Sequence, residues 1–179
     1  PGRLIVETCA EAFRIADEAK AAGQDVRVVP ATLVRTLGVG ARGLKTDRRD
    51  AQVLSEVSAR IELPSVHIPA KQSRERKTLC GMRDALVSSR TKLINSVRGW
   101  LRGEGIRPAS GGAETFTRRV RDALGELTGF SMLDCVKRQL EMIDELSAAN
   151  GAAEVELRNI AKAEPICVRL MTVPGVGPL

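Results

Sequence analysis

The first part of the chain alternates between continuous apolar runs and helical spacing. Apolar residues cluster in Arg3–Glu7 and again in Asp25–Val29, and each run is typical of a buried strand. Between them, residues 8–22 carry apolar side chains at helical spacing, and Gly23 is a typical helix stop. Two strands joined by a helical crossover of this length predict a parallel βαβ unit and therefore an α/β domain.

Residues 31–69 continue this domain with shorter elements. The pattern predicts a short helix at 31–37, a glycine-rich loop at 38–43, a helix at 46–61 and an extended connector at 63–69 that contains two prolines. Within helix 46–61, the apolar face formed by Leu54, Val57 and Ile61 continues the line of Asp47 and Asp50. We therefore expect these two aspartates to face the domain rather than open solvent.

From Lys71 onward the apolar positions recur in pairs every seven residues, which predicts a long helix with an apolar seam. Further helices are predicted at 114–127 and 131–163, the latter starting with Leu133 on its apolar face and interrupted at Asn150-Gly151. Together they form a mainly α-helical region, either an antiparallel helical hairpin or a dimeric coiled coil, and the pattern leaves both open. The seam pairs are Leu79/Cys80, Leu86/Val87, Leu93/Ile94 and Trp100/Leu101.

Composition narrows the possible chemistry. The chain is 43% hydrophobic but only 2% aromatic, so we expect aliphatic helix packing. Its four cysteines are far apart and it has one histidine, which argues against a zinc site or Cys–His catalysis and favours reduced thiols in a cytosolic protein. No run of about 18 apolar residues indicates a membrane span.

Positive charge is concentrated in the predicted long helix and just beyond it. Residues 71–107 contain ten Lys and Arg against three acids, a local charge of +7, although the whole chain carries only +6. This excess favours a polyanionic partner such as nucleic acid, and a solvated helix face is the alternative. The candidate nucleic-acid-binding residues in this helix are Arg83, Arg90, Lys92, Arg98 and Arg102.

The segment KTDRRDA places Asp47 and Asp50 three residues apart between Lys45, Arg48 and Arg49. Carboxylates at this spacing share a helix face and can reach one cation or two neighbouring cations, and Mg²⁺ prefers such oxygen ligands. Glu7, at the carboxyl end of a predicted parallel strand, is a third candidate. The alternative is that Asp47 is an N-cap with Asp50 at N3 and that Glu7 is a surface acid.

The sequence VPGVGP near the end of the chain contains a second candidate phosphate site. A Gly-x-Gly hairpin formed by Gly175 and Gly177 could present backbone N–H groups to a phosphate, as in helix-hairpin-helix modules. A plain turn explains the same residues.

The order of these motifs resembles the DEDD transposases of the insertion-sequence one-ten family. The resemblance rests on Glu7 after a strand, AAGQDVRVVPATLVR, KTDRRDA, LPSVHIP, the basic helix ending in RGEGI, and TVPGVGPL, and covers essentially all 179 residues. It implies the C-terminal part of a RuvC-like, RNase H-like domain at 1–66, a basic helical or coiled-coil region at 67–163, and the start of a C-terminal transposase domain at 164–179.

The resemblance also implies a function. Glu7, Asp47 and Asp50 would be the second, third and fourth acids of a Mg²⁺ site that cleaves and joins DNA. Lys45, Arg48 and Arg49 would steer or hold phosphates. The first aspartate and a nucleophilic serine would lie outside the chain, which we therefore interpret as a fragment that is inactive by itself. A structured guide RNA, a homo-oligomer formed through the coiled coil and a bacterial or archaeal cytoplasm are further expectations.

Two other functions remain open at this point. The chain could be a non-catalytic nucleic-acid-binding and dimerisation module, in which the acids are helix caps and Trp100 forms a stacking surface with Arg98 and Arg102. It could also be a purely structural coiled-coil scaffold, for which nucleic-acid binding would be absent or insensitive to salt.

Overall fold

A computed structural model describes residues 2–36, 46–127, 129 and 131–178 of the chain. The chain divides into two units, Pro1–Ser73 and Arg74–Leu179. In the first unit, strands β1 (Arg3–Glu7) and β2 (Asp25–Val29) pair in parallel, with Arg3 opposite Asp25 and Glu7 opposite Val29. The predicted parallel βαβ unit is confirmed.

The described residues of this unit also form three helices, namely α1 (Ala12–Ala21), α2 (Ala31–Thr36) and α3 (Asp47–Arg60). Helix α1 begins later than predicted, because residues 8–11 form a turn. It ends as predicted at Gly23, whose φ of 74° is accessible mainly to glycine. The N–H groups of Gly23 and Gln24 donate to the carbonyls of Lys20 and Ala19, which is a Schellman cap.

The two strands separate two small apolar clusters because successive side chains point to opposite faces. On one face, Leu4 and Val6 of β1 pack with Ala12 and Ala16 of α1. On the other face, Ile5 belongs to a cluster with residues of β2, α2 and α3, including Val29, Val34 and Leu54. The sheet is therefore covered by α1 on one side and by α3 on the other.

The connector after α3 covers the free edge of β2. The Val66 N–H donates to the Val28 carbonyl at 2.8 Å, and the Val28 N–H donates to Ser65 Oγ at 3.1 Å. The predicted extended conformation of 63–69 is confirmed. The prediction for Ile61 is wrong: it is the C-cap of α3 in extended conformation and is 53% exposed.

In its described residues, the second unit contains helices joined by turns and extended segments, and no strand. Helix α4 (Lys71–Gly103) is followed by a 3₁₀ turn (Ala113–Thr115), α5 (Phe116–Gly125), α6 (Asp134–Ala163) and the short α7 (Pro165–Leu170). Helices α4 and α6 run antiparallel, since ion pairs join Arg76 to Glu164 and Arg83 to Glu154. Of the two predicted arrangements, the structure shows the antiparallel helical hairpin.

The core of the hairpin lies toward the end where α4 finishes and α6 begins. Residues Ile94, Val97 and Leu101 of α4 are buried in one cluster with residues from the start of α6 and from α5, which forms a third wall. The contributions of α6 and α5 are Val136, Leu140, Ile143, Phe116, Val120 and Leu124. The predicted seam is thus buried within one chain in this region, although Cys80 is exposed.

Helix α6 differs from the sequence prediction in two places. It is continuous through Asn150 and Gly151, where an interruption was predicted. Asn150 is 4% exposed, and its side-chain amide donates to Glu154 at 3.2 Å, so a packed polar contact holds the helix where glycine weakens it. Leu133 precedes the helix and is 55% exposed, so its predicted place on the apolar face is wrong.

None of the described helices is both long enough and apolar enough to cross a bilayer.

Candidate active site and basic surfaces

Glu7 is the last residue of β1 and is half-buried at the carboxyl edge of the sheet. It shares a face with Ile5, two residues earlier, and therefore lies on the side of the sheet covered by α3. The edge itself is held by Thr8, whose N–H donates to the Val29 carbonyl at 2.9 Å and whose Oγ1 accepts from the Ala31 N–H at 2.9 Å. These bonds fix the position of the backbone that carries Glu7.

The start of α3 places Asp47 and Asp50 in different environments. Thr46 is the N-cap, with its side-chain oxygen accepting from the Arg49 N–H at 3.3 Å. Asp47 is therefore the first helical residue. It is exposed, together with Arg48 and Arg49, so the prediction that Asp47 faces the domain is wrong. The alternative in which Asp47 is the cap and Asp50 occupies N3 is wrong, because Asp50 lies one position further into the helix.

Asp50 is the buried acid of this segment, with 8% of its surface exposed. Its Oδ1 atom is buried and has no hydrogen-bond partner among the described residues. Burying a carboxylate oxygen without a partner is unfavourable, so such atoms are uncommon in folded proteins. An oxygen of this kind is the ligand that a hard divalent cation prefers.

Packing of α3 indicates which edge of the sheet Asp50 approaches. Leu54, one turn after Asp50, lies in the cluster that contains Val29 at the end of β2. Beyond the other end of α3, Glu62 pairs with Arg27 in the middle of β2 at 3.2 Å. The helix thus runs back along the sheet from its carboxyl edge, and its first turn lies toward the edge where Glu7 ends.

The structure therefore brings Glu7 and Asp50 to the same side and the same end of the sheet. It does not assemble a complete metal site: no group of three His, Cys, Asp or Glu side chains in the described residues could hold a metal ion. Lys45, predicted as a phosphate contact beside these acids, lies outside the described residues.

The five predicted phosphate-binding residues of α4 separate into two groups. Arg83 and Arg90 point into the bundle, where Arg83 pairs with Glu154 at 2.7 Å and the 6%-exposed Arg90 pairs with Glu114 at 3.3 Å. Hydrogen bonding to Glu154 raises the pKa of Arg83, and the same bond lowers the pKa of Glu154. The other three, Lys92, Arg98 and Arg102, are exposed.

Gly175 lies in an exposed turn after α7, and Gly177, also exposed, follows that turn. The Val176 N–H donates to the Val173 carbonyl at 3.1 Å, and Gly175 has φ of 85° directly after Pro174. Proline followed by a glycine with positive φ is the signature of a type II turn. Phosphate binding by these glycines stays a prediction.

Comparison with known proteins supplies the family. The model of the IS110 transposase family, described as "Transposase", matches residues 9–105, which is more than half of the chain. The chain belongs to the IS110 family of transposases. The match includes Asp47, Asp50 and the exposed cations of α4, and it begins two residues after Glu7.

Curated relatives of this IS110-family chain are transposases from bacteria. The transposase for insertion sequence element IS1111A of Coxiella burnetii is 34% identical over 140 residues, which cover 75% of this chain and 38% of the relative. A putative transposase of Sinorhizobium fredii, named y4pF/y4sB, is 26% identical over all 179 residues and 46% of its own length. A probable family 20 transposase of Pseudomonas aeruginosa is 24% identical, covering the whole chain and 53% of the relative.

The IS110-family chain thus spans about half the length, or less, of these curated relatives. No solved structure matches it.

Two arginines that line a pocket in the second unit were not predicted as binding residues. Arg107 and Arg119 line a pocket together with Arg98 and Arg102. Arg107 lies within the basic segment and could have been selected from local charge, whereas Arg119 lies in α5, outside the region of positive excess. Only the fold of the 105–115 connector brings it to the same place.

Proposed function

We propose that this chain forms part of an insertion-sequence transposase that cleaves and joins DNA strands at a Mg²⁺-dependent acidic site. The family match supports the transposase part of this proposal. The acidic site is supported chiefly by one observation, the buried and unpartnered Oδ1 of Asp50, on the same side of the sheet as Glu7. A RuvC-like arrangement of the first unit is part of the proposal, since its parallel strands end at this edge.

In this proposal Asp50 and Glu7 hold the metal, Asp47 at the mouth of the site contributes a further carboxylate, and a fourth acid comes from the longer protein. Bound Mg²⁺ would stabilise charge on the attacking and leaving oxygens of a phosphodiester. Arg48 and Arg49, exposed beside Asp47, are placed to hold the DNA backbone against the acids. A structured guide RNA is a proposed partner that would use the exposed cations of α4.

The test uses the full-length transposase that contains this chain. Asp50→Asn and Glu7→Gln should each reduce strand cleavage on a donor plasmid by roughly a hundredfold or more, as expected for loss of a transition-state contact worth about 2.7 kcal/mol. Glu56→Gln, which removes an exposed carboxylate from the same helix, is the matched control and should retain activity. A second readout is the Mg²⁺-dependent rise in melting temperature, which Asp50→Asn should abolish.

The variants distinguish a structural role of Asp50 from a catalytic one. Loss of folding in Asp50→Asn, with cleavage per folded molecule unchanged, would favour the non-catalytic module in which this acid is structural. Unchanged cleavage in both variants would refute the acidic site. The 179-residue chain alone should show no Mg²⁺-dependent cleavage, and appreciable cleavage by it would refute the proposed missing ligands.

A further inference from the structure

The second unit contains a basic pocket that the proposed cleavage chemistry does not use. It lies where α4 ends, between the last turns of that helix, the connector that follows and the start of α5, and has a volume of about 810 Å³. Its cationic residues, which we call the pocket arginines, are Arg98, Arg102, Arg107 and Arg119. This volume is in the range of small-molecule and cofactor sites.

The walls of the pocket are fixed by hydrogen bonds to backbone carbonyls. At the end of α4, Gly105 has φ of 71°, and the Ile106 N–H donates to the Leu101 carbonyl at 2.8 Å, which turns the chain back over the helix. Arg119 holds the connector from the other side, donating to the carbonyls of Ala109, Gly112 and Thr115. The pocket therefore exists before any ligand arrives.

Arg119 uses its donors on the connector, so the remaining three arginines supply the N–H donors available to a ligand, while all four contribute positive charge. Arg98, Arg102 and Arg107 make no ion pair with any described residue, and no Asp or Glu is among the described lining residues. Cations gathered around a concave surface without counter-charge repel one another and attract anions. This contrasts with Arg83 and Arg90, whose charges are neutralised within the bundle.

The floor of the pocket is apolar, which separates it from a simple phosphate patch. Leu101, Ile106 and Phe116 contribute to the lining. The Phe116 ring is 2% exposed and lies beneath two guanidinium groups, with Arg98 Cζ at 5.3 Å and Arg119 Cζ at 5.9 Å from its centroid. Both guanidinium groups are thus within cation–π distance of the ring. Flat guanidinium faces are surfaces on which nucleobases stack.

From these observations we propose that the pocket binds an unpaired nucleotide of a nucleic-acid strand. The phosphates would contact Arg102 and Arg107, and the base would lie over Arg98 and the apolar floor. A paired base in a duplex cannot enter a pocket of this shape without leaving the helix, so single strands should be preferred. The proposal rests on the proposed function, because it assigns to the same transposase a contact with unpaired DNA or RNA.

The experiment measures binding of labelled single-stranded oligonucleotides to the 179-residue chain by fluorescence anisotropy, in EDTA and over a range of salt. The variant Arg102→Gln/Arg107→Gln should weaken binding roughly tenfold or more at low salt. It should also reduce the slope of log K against log salt by about 1.4, that is, about 0.7 for each lost phosphate contact to a single strand. The matched control, Arg138→Gln/Lys162→Gln, removes two exposed cations of α6 outside the pocket.

We expect the control variant to bind within about twofold of wild type with an unchanged salt slope. Equal losses in both variants, or duplex bound as tightly as single strands of either RNA or DNA, would overturn the proposal. Separate arms with RNA and DNA identify which strand is preferred, and preference for either supports the pocket. EDTA removes any metal-dependent role of Glu7 and Asp50. A negative binding result would therefore not contradict the cleavage proposal, and absence of cleavage would not contradict the pocket proposal.

Discussion

The position of Asp50 is hard to explain by stability alone. A carboxylate at the first turn of a helix gains about 0.3–1 kcal/mol from the helix dipole, and exposed Asp47 gains this at no desolvation cost. Asp50 is instead buried with an unpartnered oxygen, a loss of about 1–3 kcal/mol. Where local rules are broken in this way, function is the usual reason.

The effect of the Asp50 carboxylate on the free energy of unfolding can be measured directly. Replacing Asp50 with leucine removes the unpartnered oxygen and adds apolar contact beside Leu54, so the free energy of unfolding in EDTA should rise by about 1 kcal/mol. Urea unfolding of the 179-residue chain, followed by circular dichroism, is the measurement. Asp47→Leu is the matched control and should lower stability by a few tenths of a kcal/mol, about what the dipole supplies. A loss above about 1 kcal/mol in Asp50→Leu would show that its carboxylate is structural.

Residue-scale predictions from helical spacing succeeded for Asp50 but were wrong for Asp47 and Ile61, which are exposed at the two ends of α3. Asp50 faces the domain because it lies one turn before Leu54, and the sequence contains that spacing. Arg83 and Arg90 could not be separated from Arg98 in the same way. Arg83 pairs with Glu154 of α6, and Arg90 pairs with Glu114 of the 3₁₀ turn. These acids become neighbours of α4 only when the second unit folds.

At the scale of elements, the helical hairpin combines an apolar end with a polar one. The apolar cluster occupies one end, whereas Arg83, Asn150 and Glu154 form a polar contact further along the same helices. A second polar contact joins α5 to α6, where the Thr117 hydroxyl and Arg121 guanidinium donate to Asp144 at 2.5 and 2.7 Å. These contacts fix which turns of the helices face each other.

The same contacts make the stability of the hairpin depend on pH. Burial raises the pKa of Asp144, but the hydrogen bonds from Thr117 and Arg121 lower it by more, so the net shift is downward. The hydrogen bond from Arg83 lowers the pKa of Glu154. A carboxyl whose folded-state pKa lies below its unfolded value stabilises the fold above the unfolded pKa. That contribution is lost as pH falls through the folded-state pKa. Urea midpoints should therefore decrease below about pH 5.

The variant Asp144→Asn/Glu154→Gln tests the origin of this dependence. It should be less stable than wild type at neutral pH and should show a flatter decline between about pH 5 and pH 3, because these two carboxyls no longer titrate. Glu141→Gln/Glu145→Gln, which changes two exposed acids on α6, should keep the wild-type profile. A decline equally steep in the Asp144/Glu154 variant would assign the effect to other acids.

At the scale of the whole molecule, the chain consists of an α/β unit and a helical unit, each with its own apolar clusters. The boundaries of both strands and the extent of α4 followed from periodicity and stop signals alone. The uninterrupted α6 did not, because the local weakness of Asn150-Gly151 is overcome by contacts between helices. Likewise, the pocket arginines come from two helices and a connector whose fold no local pattern specifies.

The two units should differ in their ability to fold alone. A polypeptide of residues 70–179 keeps the complete cluster around Phe116 and both polar contacts of α6, so its cooperative thermal transition should lie within about 5 °C of the helical transition of the 179-residue chain. Residues 1–69 have a two-stranded sheet with two small clusters, which is near the lower limit of size for a stable domain. Circular dichroism melts of both pieces should show a cooperative transition for the first and a broad, low-temperature change for the second. A non-cooperative melt of 70–179 would mean that the hairpin, and with it the basic pocket, folds only in the presence of the α/β unit that carries the acids.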